Sequence, residues 1–445
     1  MSAEILECDL LVIGAGMAGL SAAGWAAERG AKVVVVEKAS ELGGSAVLSG
    51  GMLWTASSPE RMALYGGGRR DLGRVVCDNY PVALDWLRRR GIEVSRTMQV
   101  LHGYGYQIDI IGHLRGCAEL VEKHGGHVVF DTTTTSLLRD ASGRVTGGRT
   151  TCADGDVDVH ARHTIIATGG YQGSPELRAR YIHPNAGGML LRSNPASTGD
   201  GLRLGQEAGA EVAGENPGFY GHLVSECEAW GSETRLYTML SQYHSDHTLL
   251  LNEDGRRFCD ESFGDHSNTY HTVLQENGRA LCFWDQRVQS GHATQPIVAI
   301  AAPMDRMAVA LEYGGKGIAS ASLDEIAAFA NAQGFDGAQA LRSIAKYNHQ
   351  CRNGWETLSP PRAEHCLPLD AAPFYALVVH PAITFTFGGL TIDTHAQVLR
   401  PDGTPVEGLL AAGSDAGAAF GTGYAGGLAL AMTFGLEAAR TAGWN

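Results

Sequence analysis

The stretch Asp9-Leu-Leu-Val-Ile-Gly14-Ala-Gly16-Met-Ala-Gly19 decides the fold of this chain. An apolar run leads into the glycine pattern G-x-G-x-x-G, and an alanine-rich helical stretch follows from Leu20 to about Glu28. A second apolar run, residues 32–36, ends at the acid Glu37. Strand, glycine turn, helix, strand and acid in this order are typical of a dinucleotide-binding βαβ unit.

Each glycine of this turn has a predicted role. Gly14 permits the tight turn, Gly16 lets the backbone approach a pyrophosphate, and Gly19 lets the helix pack closely on the sheet. The phosphates would lie at the helix N-terminus, where backbone N–H groups point at them. Glu37 can accept hydrogen bonds from a ribose, which favours FAD or NAD over NADP. A glycine turn that binds nothing is the alternative, and the complete unit argues against it.

The bulk composition sets limits on the class of protein. The chain has 445 residues, 44% of them hydrophobic and 18% charged, which predicts a globular protein of two or three domains. The formal net charge is −14 and no basic tract occurs, which argues against a nucleic-acid partner. The sequence contains no apolar run of the length that crosses a membrane and no basic leader, so we expect a cytoplasmic protein without a membrane span.

The nine cysteines are scattered along the chain, and none forms a C-x-x-C pair. This spacing predicts neither a disulfide framework nor a metal site, and it is compatible with a reducing compartment.

Glycine-rich segments recur at the ends of other predicted strands. Residues 43–51 follow the acid-bearing strand, and residues 167–170 end a buried strand. Asp200 begins a predicted helix, where its carboxylate would either bind a cofactor hydroxyl or cap the helix. Near the C-terminus, Gly426 and Gly427 open a long alanine-rich helix whose N-terminus would favour an anionic atom.

From about Asn216 onward, aromatic residues and histidines become frequent. This region includes His222, His244 and Tyr270, and it predicts a second domain that carries a site.

These motifs, in this order, resemble the fumarate reductase/succinate dehydrogenase flavoprotein superfamily (FAD-dependent oxidoreductase 2). The match extends over nearly the whole chain, and the motifs are most similar to the tricarballylate dehydrogenase-like and 3-ketosteroid dehydrogenase-like branches. The resemblance implies an α/β fold: a Rossmann-like FAD-binding domain of the GR2 type with an inserted α+β capping domain. We expect residues 1–216 and 384–445 to form the FAD-binding domain and residues 217–383 to form the capping domain, with the substrate between cap and flavin.

The motifs and this resemblance together assign a set of cofactor-binding residues. The set consists of Gly14, Gly16, Met17, Ala18, Gly19, Glu37, Lys38, Gly43, Gly44, Ser45, Ser49, Gly50, Gly51, Thr134, Ala167, Thr168, Gly169, Asp200, Gly389, Gly413, Ser414, Asp415, Gly426, Gly427, Leu428 and Ala429. Some relatives attach FAD through a histidine after the second strand. Residues 43–46 contain no histidine, so the resemblance implies non-covalent FAD.

The chain departs from the fumarate reductases at three substrate-binding or catalytic positions. Residues 263–265 occupy the stretch where those enzymes carry an arginine proton donor, and Thr384-Phe385 replaces a histidine pair. Tyr424 stands in place of a carboxylate-binding arginine, although His222 matches a substrate-binding histidine. These departures argue against fumarate or succinate as the substrate.

Tyr424 is the candidate oxyanion donor, with packing on the flavin as its alternative role. Tyr270, His222 and His244 compete for the proton-transfer role, and each is also explained by packing alone. The predicted reaction is α,β-desaturation of a small carbonyl compound, with hydride transfer to flavin N5 and an unidentified electron acceptor. The alternatives are an ene-reductase, which would need an electron donor, and a non-catalytic flavin-binding or electron-transfer protein.

Overall fold

The computed structural model describes residues 4–214, 217–228, 230–231, 233–296 and 302–445. The chain divides into two compact units. The first consists of Met1–Leu177, Ser193–Phe219 and Phe385–Asn445, and the second of Arg178–Arg192 and Tyr220–Thr384. The second unit thus includes Arg178–Arg192, a stretch that the sequence assigned to the FAD-binding domain. The predicted domain boundaries stay a prediction.

The strands of the described chain are numbered in chain order. They are β1 (Glu4–Ile13), β2 (Val33–Val36), β3 (Met52–Ala56), β4 (Met98–Val100), β5 (Gly103–Gln107), β6 (His127–Val129), β7 (Thr133–Arg139), β8 (Val145–Cys152), β9 (Gly155–Ile166), β10 (Leu190–Leu191), β11 (Val212–Ala213), β12 (Phe219–Ser225), β13 (Leu249–Leu251), β14 (Ala280–Asp285), β15 (Gly317–Ser320), β16 (Phe374–Thr386), β17 (Gly389–Leu390), β18 (Gln397–Leu399) and β19 (Pro405–Ala411).

The α-helices are numbered in the same way. They are α1 (Met17–Glu28), α2 (Pro59–Gly66), α3 (Arg70–Arg89), α4 (Ile110–Lys123), α5 (Pro175–Tyr181), α6 (Asp200–Glu207), α7 (Leu236–Met239), α8 (Asp265–Val273), α9 (Gln286–Val288), α10 (Arg306–Glu312), α11 (Leu323–Ala332), α12 (Gly337–Asn353) and α13 (Gly427–Thr441). In the residues that the structure describes, no helix combines the length and the apolar composition needed to cross a membrane.

The first unit is built on an eight-stranded sheet with the order β18-β19-β9-β1-β2-β6, to which β8 and β7 are added beside β9. Strand β1 lies between β2 and β9 and runs parallel to both. All four valines of β2 are buried, as expected for a parallel sheet covered on both faces. The predicted α/β class and the βαβ unit β1-α1-β2 are therefore confirmed.

Helix α1 packs closely against α4 and α13, and glycines permit the approach. A Cβ atom at Gly24 would lie 2.8 Å from Sγ of Cys117 on α4. A Cβ atom at Gly435 of α13 would lie 2.4 Å from the carbonyl oxygen of Ala18. Both distances are shorter than any real contact, so a larger residue would push the helices apart.

The second unit contains a six-stranded sheet in which β16 pairs with β10, β14, β12 and β15, while β13 extends it beyond β14. The strand β13 is wholly buried, as is β14. Helices α11 and α12 follow each other in this unit. Residues 387 and 388 separate β16 from β17.

The three glycines of the first turn differ in what surrounds them. Gly14 has a φ of +109°, and a Cβ atom there would lie 2.3 Å from the carbonyl oxygen of Ala167. At Gly19 a Cβ atom would lie 1.9 Å from the carbonyl oxygen of Gly14. At Gly16 the nearest atom to a Cβ would be the carbonyl oxygen of Gly43, 4.0 Å away. The protein itself therefore requires glycine at Gly14 and Gly19, whereas the space beside Gly16 is left for something else.

We predict that Gly16→Ala and Gly19→Ala have opposite consequences. Gly16→Ala should change the free energy of unfolding of the FAD-free protein by less than about 0.5 kcal/mol, because the new methyl group meets no protein atom. It should weaken FAD binding at least about tenfold, because that methyl group occupies the space predicted for the pyrophosphate. Gly19→Ala should cost about 1–3 kcal/mol or more of folding stability. Thermal unfolding and FAD titration measure both effects, and normal FAD affinity in Gly16→Ala would contradict the prediction.

Candidate functional site

Glu37 is held against the glycine turn by backbone hydrogen bonds. Its Oε2 atom accepts the N–H of Ala15 at 2.8 Å, and its Oε1 atom accepts the N–H of Ala39 at 2.9 Å. A carboxylate has about four acceptor positions, so two remain for ribose hydroxyls. The sequence predicted the acid, but not the two N–H groups that orient it.

Residues 43–51 lie against the same turn. The N–H of Gly43 donates to the carbonyl oxygen of Ala15 at 2.9 Å. The hydroxyl of Ser45 lies 2.8 Å from that of Ser193, a buried residue that the sequence analysis missed. At Gly50 a Cβ atom would meet no atom within 4 Å. This segment thus forms a second backbone wall beside Gly16.

Ser49 and Gly51 complete that wall. The hydroxyl of Ser49 donates to the carbonyl oxygen of Ala46 at 2.7 Å and accepts the N–H of Gly51 at 3.3 Å. Gly51 has a φ of +76°, a conformation that favours glycine. Both residues therefore shape the backbone of the segment.

Asp200 forms an ion pair with Lys38. The Nζ atom of Lys38 lies 2.6 Å from Oδ2 of Asp200 and donates to the Thr198 hydroxyl at 2.8 Å. Helix α6 begins at Asp200, and its N-cap residue is Gly199, without a side-chain capping bond. Gly199, and not Asp200, therefore occupies the capping position. The predicted contact of Asp200 with a cofactor hydroxyl stays a prediction.

The buried carboxylate of Asp415 connects three glycine-rich segments. Its Oδ2 atom accepts the Thr168 hydroxyl and the Gly169 N–H, each at 3.0 Å. The Thr168 oxygen in turn accepts the N–H of Gly201 at 2.9 Å. Burial raises the pKa of Asp415. Asp415 therefore positions the backbone of these turns, and its predicted contact with FAD is untested.

The C-terminal glycines bring the start of α13 to the same unit. Gly426 has a φ of +100°, and a Cβ atom there would lie 1.8 Å from the carbonyl oxygen of Trp54. The predicted Gly427, Leu428 and Ala429 form the first turn of α13, whose N-cap residue is Gly426. The hydroxyl of Tyr424 accepts the N–H of Gly427 at 3.1 Å. The candidate oxyanion donor therefore lies at a helix N-terminus.

The remaining predicted cofactor residues lie in the first unit. Met17 and Ala18 begin α1 and are buried, and a Cβ atom at Gly413 would lie 3.1 Å from the Cβ of Ala18. Gly389 begins β17, and Ser414 belongs to the short 3₁₀ turn Gly413–Asp415. The strand β9 ends at Ile166, directly before Ala167. Gly44 lies close to Gly16, because a Cβ atom added at Gly44 would lie 3.6 Å from the Gly16 Cα.

Thr134 lies apart from these turns in the topology, on β7. A Cβ atom at Gly148 of β8 would lie 3.1 Å from Cγ2 of Thr134. In the part of the chain that the structure describes, the buried Oγ1 atom of Thr134 has no hydrogen-bond partner. The predicted contact of Thr134 with the cofactor stays a prediction.

These features fit FAD. The open space beside Gly16, the uncapped N-terminus of α1 and the oriented carboxylate of Glu37 match a pyrophosphate and a ribose.

Aromatic rings surround Tyr424 within the first unit. The ring centroid of Tyr424 lies 5.4 Å from that of Trp54, 5.8 Å from that of Phe420 and 6.0 Å from that of Phe385. His102 also packs on Trp54, with ring centroids 5.4 Å apart, and burial lowers the pKa of His102 to about 4. A flat substrate would find apolar surface here.

In the second unit, His222 and Asp265 form a buried pair. The Nδ1 atom of His222 is hydrogen bonded to Oδ2 of Asp265, whose Oδ1 atom accepts the Leu223 N–H at 3.0 Å. Burial raises the pKa of Asp265 to about 7 and lowers the pKa of His222 well below its ordinary value. Among the described residues, the buried Nε2 atom of His222 has no hydrogen-bond partner. A histidine with one nitrogen oriented by a carboxylate and the other unpaired is the arrangement of a general base.

The other two proton-transfer candidates have different surroundings. His244 is buried against Trp284, with ring centroids 5.0 Å apart, and burial lowers its pKa to about 3. Neither of its ring nitrogens has a hydrogen-bond partner in the described chain. Tyr270 is half-buried on α8, and its ring centroid lies 5.8 Å from that of His271. No carboxylate is hydrogen bonded to His244 within those residues, so it lacks the orienting partner that His222 has.

The sequence analysis missed Asp265, Arg192 and Tyr243 as site residues. The Nη2 atom of Arg192 donates to the Tyr243 hydroxyl at 3.1 Å, and the Tyr243 ring centroid lies 5.0 Å from that of His222. The guanidinium of Arg306 lies 5.5 Å from the Tyr243 ring. Asp265 had a signal in the sequence, since residues 263–265 occupy the stretch where the resemblance implies an arginine donor, and Tyr243 lies in the region rich in aromatic residues and histidines.

Comparison with known proteins shows the family. The model of the FAD binding domain family matches residues 9–428. Urocanate reductase of Eggerthella lenta is 28% identical over 96% of this chain and 73% of its own length. Vinyl phenol reductase of Lactiplantibacillus plantarum is 26% identical over 94% of this chain and 91% of its own length.

The fold is also found in solved structures. The 3-ketosteroid Δ1-dehydrogenase of Sterolibacterium denitrificans superposes with a TM-score of 0.77 over 98% of this chain and 99% of its own, at 17% identity. Family membership sets aside the alternative of a non-catalytic flavin-binding protein. The chain belongs to the FAD binding domain family, with fumarate and urocanate reductases among its relatives, and is an FAD-dependent dehydrogenase or reductase.

Proposed function

We propose that this enzyme introduces a C=C bond next to the carbonyl group of a small molecule, with FAD held non-covalently. The observation that carries this proposal is the His222–Asp265 pair, because an unprotonated buried histidine suits removal of a proton better than its donation. Bound FAD would supply the redox chemistry, the acceptance of a hydride from carbon.

FAD would be held by the first unit. Its pyrophosphate would lie beside Gly16 and the N-terminus of α1, and the Glu37 carboxylate would bind the ribose. Residues 43–46 offer no histidine for a covalent bond. The ion pair of Lys38 and Asp200 would orient the Asp200 carboxylate toward a cofactor hydroxyl.

His222 would remove the proton α to the substrate carbonyl at its Nε2 atom. Asp265 would fix the ring through Nδ1 and stabilise the protonated ring that results. The base form requires ionised Asp265, because the ring proton then lies on Nδ1 and is donated to Oδ2, which leaves the lone pair on Nε2. Burial raises the pKa of Asp265 to about 7, so this form is gained as the pH rises through that value.

Tyr424 would polarise the carbonyl oxygen. Its hydroxyl accepts the N–H of Gly427, which fixes the phenol oxygen at the start of α13. A phenol that accepts one hydrogen bond can donate its own hydrogen to a carbonyl, and the positive end of the helix favours the charge that develops there. The surrounding rings of Trp54, Phe385 and Phe420 favour a flat or bulky carbonyl compound.

An ene-reductase that runs the reverse reaction is the second candidate. The names of the relatives favour it, since urocanate reductase and vinyl phenol reductase are reductases. In that direction a protonated group would have to donate to carbon, and the buried His222 is poorly suited to carry that proton at neutral pH.

The absorption spectrum of the purified protein tests the proposal. Acid precipitation should leave the yellow cofactor in the supernatant, because it is not bonded to the chain. Under anaerobic conditions, a saturated ketone or acid should bleach the flavin absorption, and the unsaturated product should be found in equimolar amount. Flavin that no such donor bleaches, but that an unsaturated carbonyl compound reoxidises after chemical reduction, would establish the ene-reductase instead.

Asp265→Asn should lower the oxidative kcat at least about 100-fold with little change in KM, because the base loses the carboxylate that orients and stabilises it. In the unmodified enzyme, kcat/KM should fall as the pH falls below about 7, because protonated Asp265 donates to Nδ1 and the ring proton of His222 then lies on Nε2. Activity should be constant at more alkaline pH, where Asp265 is ionised. Asp254→Asn, at an exposed carboxylate of the same unit, is the control. A pH profile that Asp265→Asn leaves unchanged would exclude the role.

Tyr424→Phe should lower kcat about 100- to 1000-fold while FAD stays bound, because it removes one oxyanion donor and leaves the ring packing in place. Tyr65→Phe in the same unit is the matched control, since it removes a hydroxyl from a partly exposed ring stacked on His102. Stopped-flow flavin reduction measures both variants. Equal rates in Tyr424→Phe and the unmodified enzyme would rule out the oxyanion role.

A further inference from the structure

We propose that Asp246, His247 and His365 form a binding site for one divalent transition-metal ion, most suitably Zn²⁺. One ligand atom from each residue lies within 4.8 Å of the corresponding atoms of the other two. None of the three residues belongs to the proposed flavin site or the proton-transfer pair, so the inference does not depend on the proposed function. Two imidazoles and a carboxylate are ligands that Zn²⁺ prefers.

Two of the three ligand pairs lie slightly farther apart than the ligands of a bound zinc ion. Oδ2 of Asp246 lies 3.7 Å from Nε2 of His247 and 4.0 Å from Nε2 of His365. Both are too long for a hydrogen bond. Two ligand atoms on a tetrahedral zinc ion are about 3.4 Å apart, given bonds of about 2.0–2.1 Å. Movements of a few tenths of an ångström would therefore bring both pairs into coordination distance.

A third histidine supports the ring of His247. The rings of His292 and His247 are stacked, with centroids 3.5 Å apart and an interplanar angle of 18°. His292 lies in the π-helical turn Gln289–Ala293, and such turns are frequent at functional sites. The stacking holds the His247 ring against the turn that carries His292.

The buried Arg362 holds the ligand segments together. Its Nη1 atom donates to the carbonyl oxygen of Thr248 at 2.8 Å and its Nη2 atom to that of Asp246 at 2.5 Å. Its Nε atom donates to the carbonyl oxygen of Glu364 at 3.2 Å. One guanidinium thus fixes the backbone on both sides of the cluster, next to His247 and next to His365.

The buried Glu261 anchors that guanidinium in turn. Its Oε2 atom lies 3.3 Å from Nη1 of Arg362 and 2.6 Å from Nη2 of Arg257. His365 itself has a φ of +57°, a conformation that is unusual for histidine. Such conformations persist where the surrounding structure fixes them, and they cluster at ligand sites. Hydrogen bonds from the buried Arg362 therefore fix the backbone segments that carry the three ligands.

A bound ion would join the 3₁₀ turn Ser245–His247 to the loop that carries His365. His365 is partly exposed, so a metal ion can reach the site from solvent. Because the ion would bind only the folded chain, it would raise stability by mass action. The cysteine pattern predicted no metal site, but these ligands come from distant segments that no local spacing pattern reveals.

Isothermal titration of the chelator-treated, FAD-loaded protein with ZnCl₂ tests the site. We expect one Zn²⁺ per chain with a Kd of about 10 μM or tighter. His247→Ala and His365→Ala should each weaken binding at least about tenfold, and so should Asp246→Asn. His349→Ala, at an exposed histidine on α12, is the matched control and should bind as the unmodified protein does.

Titration with CoCl₂ gives a second readout that does not depend on activity, because histidine coordination at a low-coordinate site produces visible absorption bands. These bands should appear in the unmodified protein and in His349→Ala and should be lost in His365→Ala, whose side chain is exposed enough for the variant to fold. A Kd weaker than about 10 μM, or equal affinity in His365→Ala and the unmodified protein, would overturn the assignment.

Discussion

The hydrogen bond from the N–H of Ala15 to the Glu37 carboxylate is the constraint on which the first unit depends. It joins the glycine turn after β1 to the end of β2, and it requires Gly14 and Gly19 to bring turn, helix and sheet into contact. With those contacts fixed, Gly16 is the position that the protein leaves open. A single backbone donor therefore connects the folding of the βαβ unit to the place where a dinucleotide would bind.

Buried carboxylates set the positions of the functional groups in both units. Asp415 holds the turn of Thr168 and Gly169, Asp265 orients His222, and Glu261 anchors Arg362. Burying a carboxylate is costly unless it is hydrogen bonded or paired, and each of these three is. These hydrogen bonds and ion pairs offset the cost of burial. Through them, each carboxylate fixes groups from separate segments in one arrangement.

The departures from the fumarate reductases take on a physical meaning in the structure. Residues 263–265 occupy the stretch where the resemblance implies an arginine donor, and Asp265 is hydrogen bonded to His222. Where they carry a carboxylate-binding arginine, this chain has Tyr424 among aromatic rings at the start of α13.

The sequence by itself determined the α/β fold, the glycine turns and Glu37, because strand, turn, helix and acid are local patterns with fixed spacing. It also placed His222, His244, Tyr270 and Tyr424 among the candidates. Only the tertiary structure decided that Asp265 meets His222 and that His365 meets His247. Those partners lie on segments far apart in the chain, and the packing of the second unit, which no local pattern encodes, brings them together.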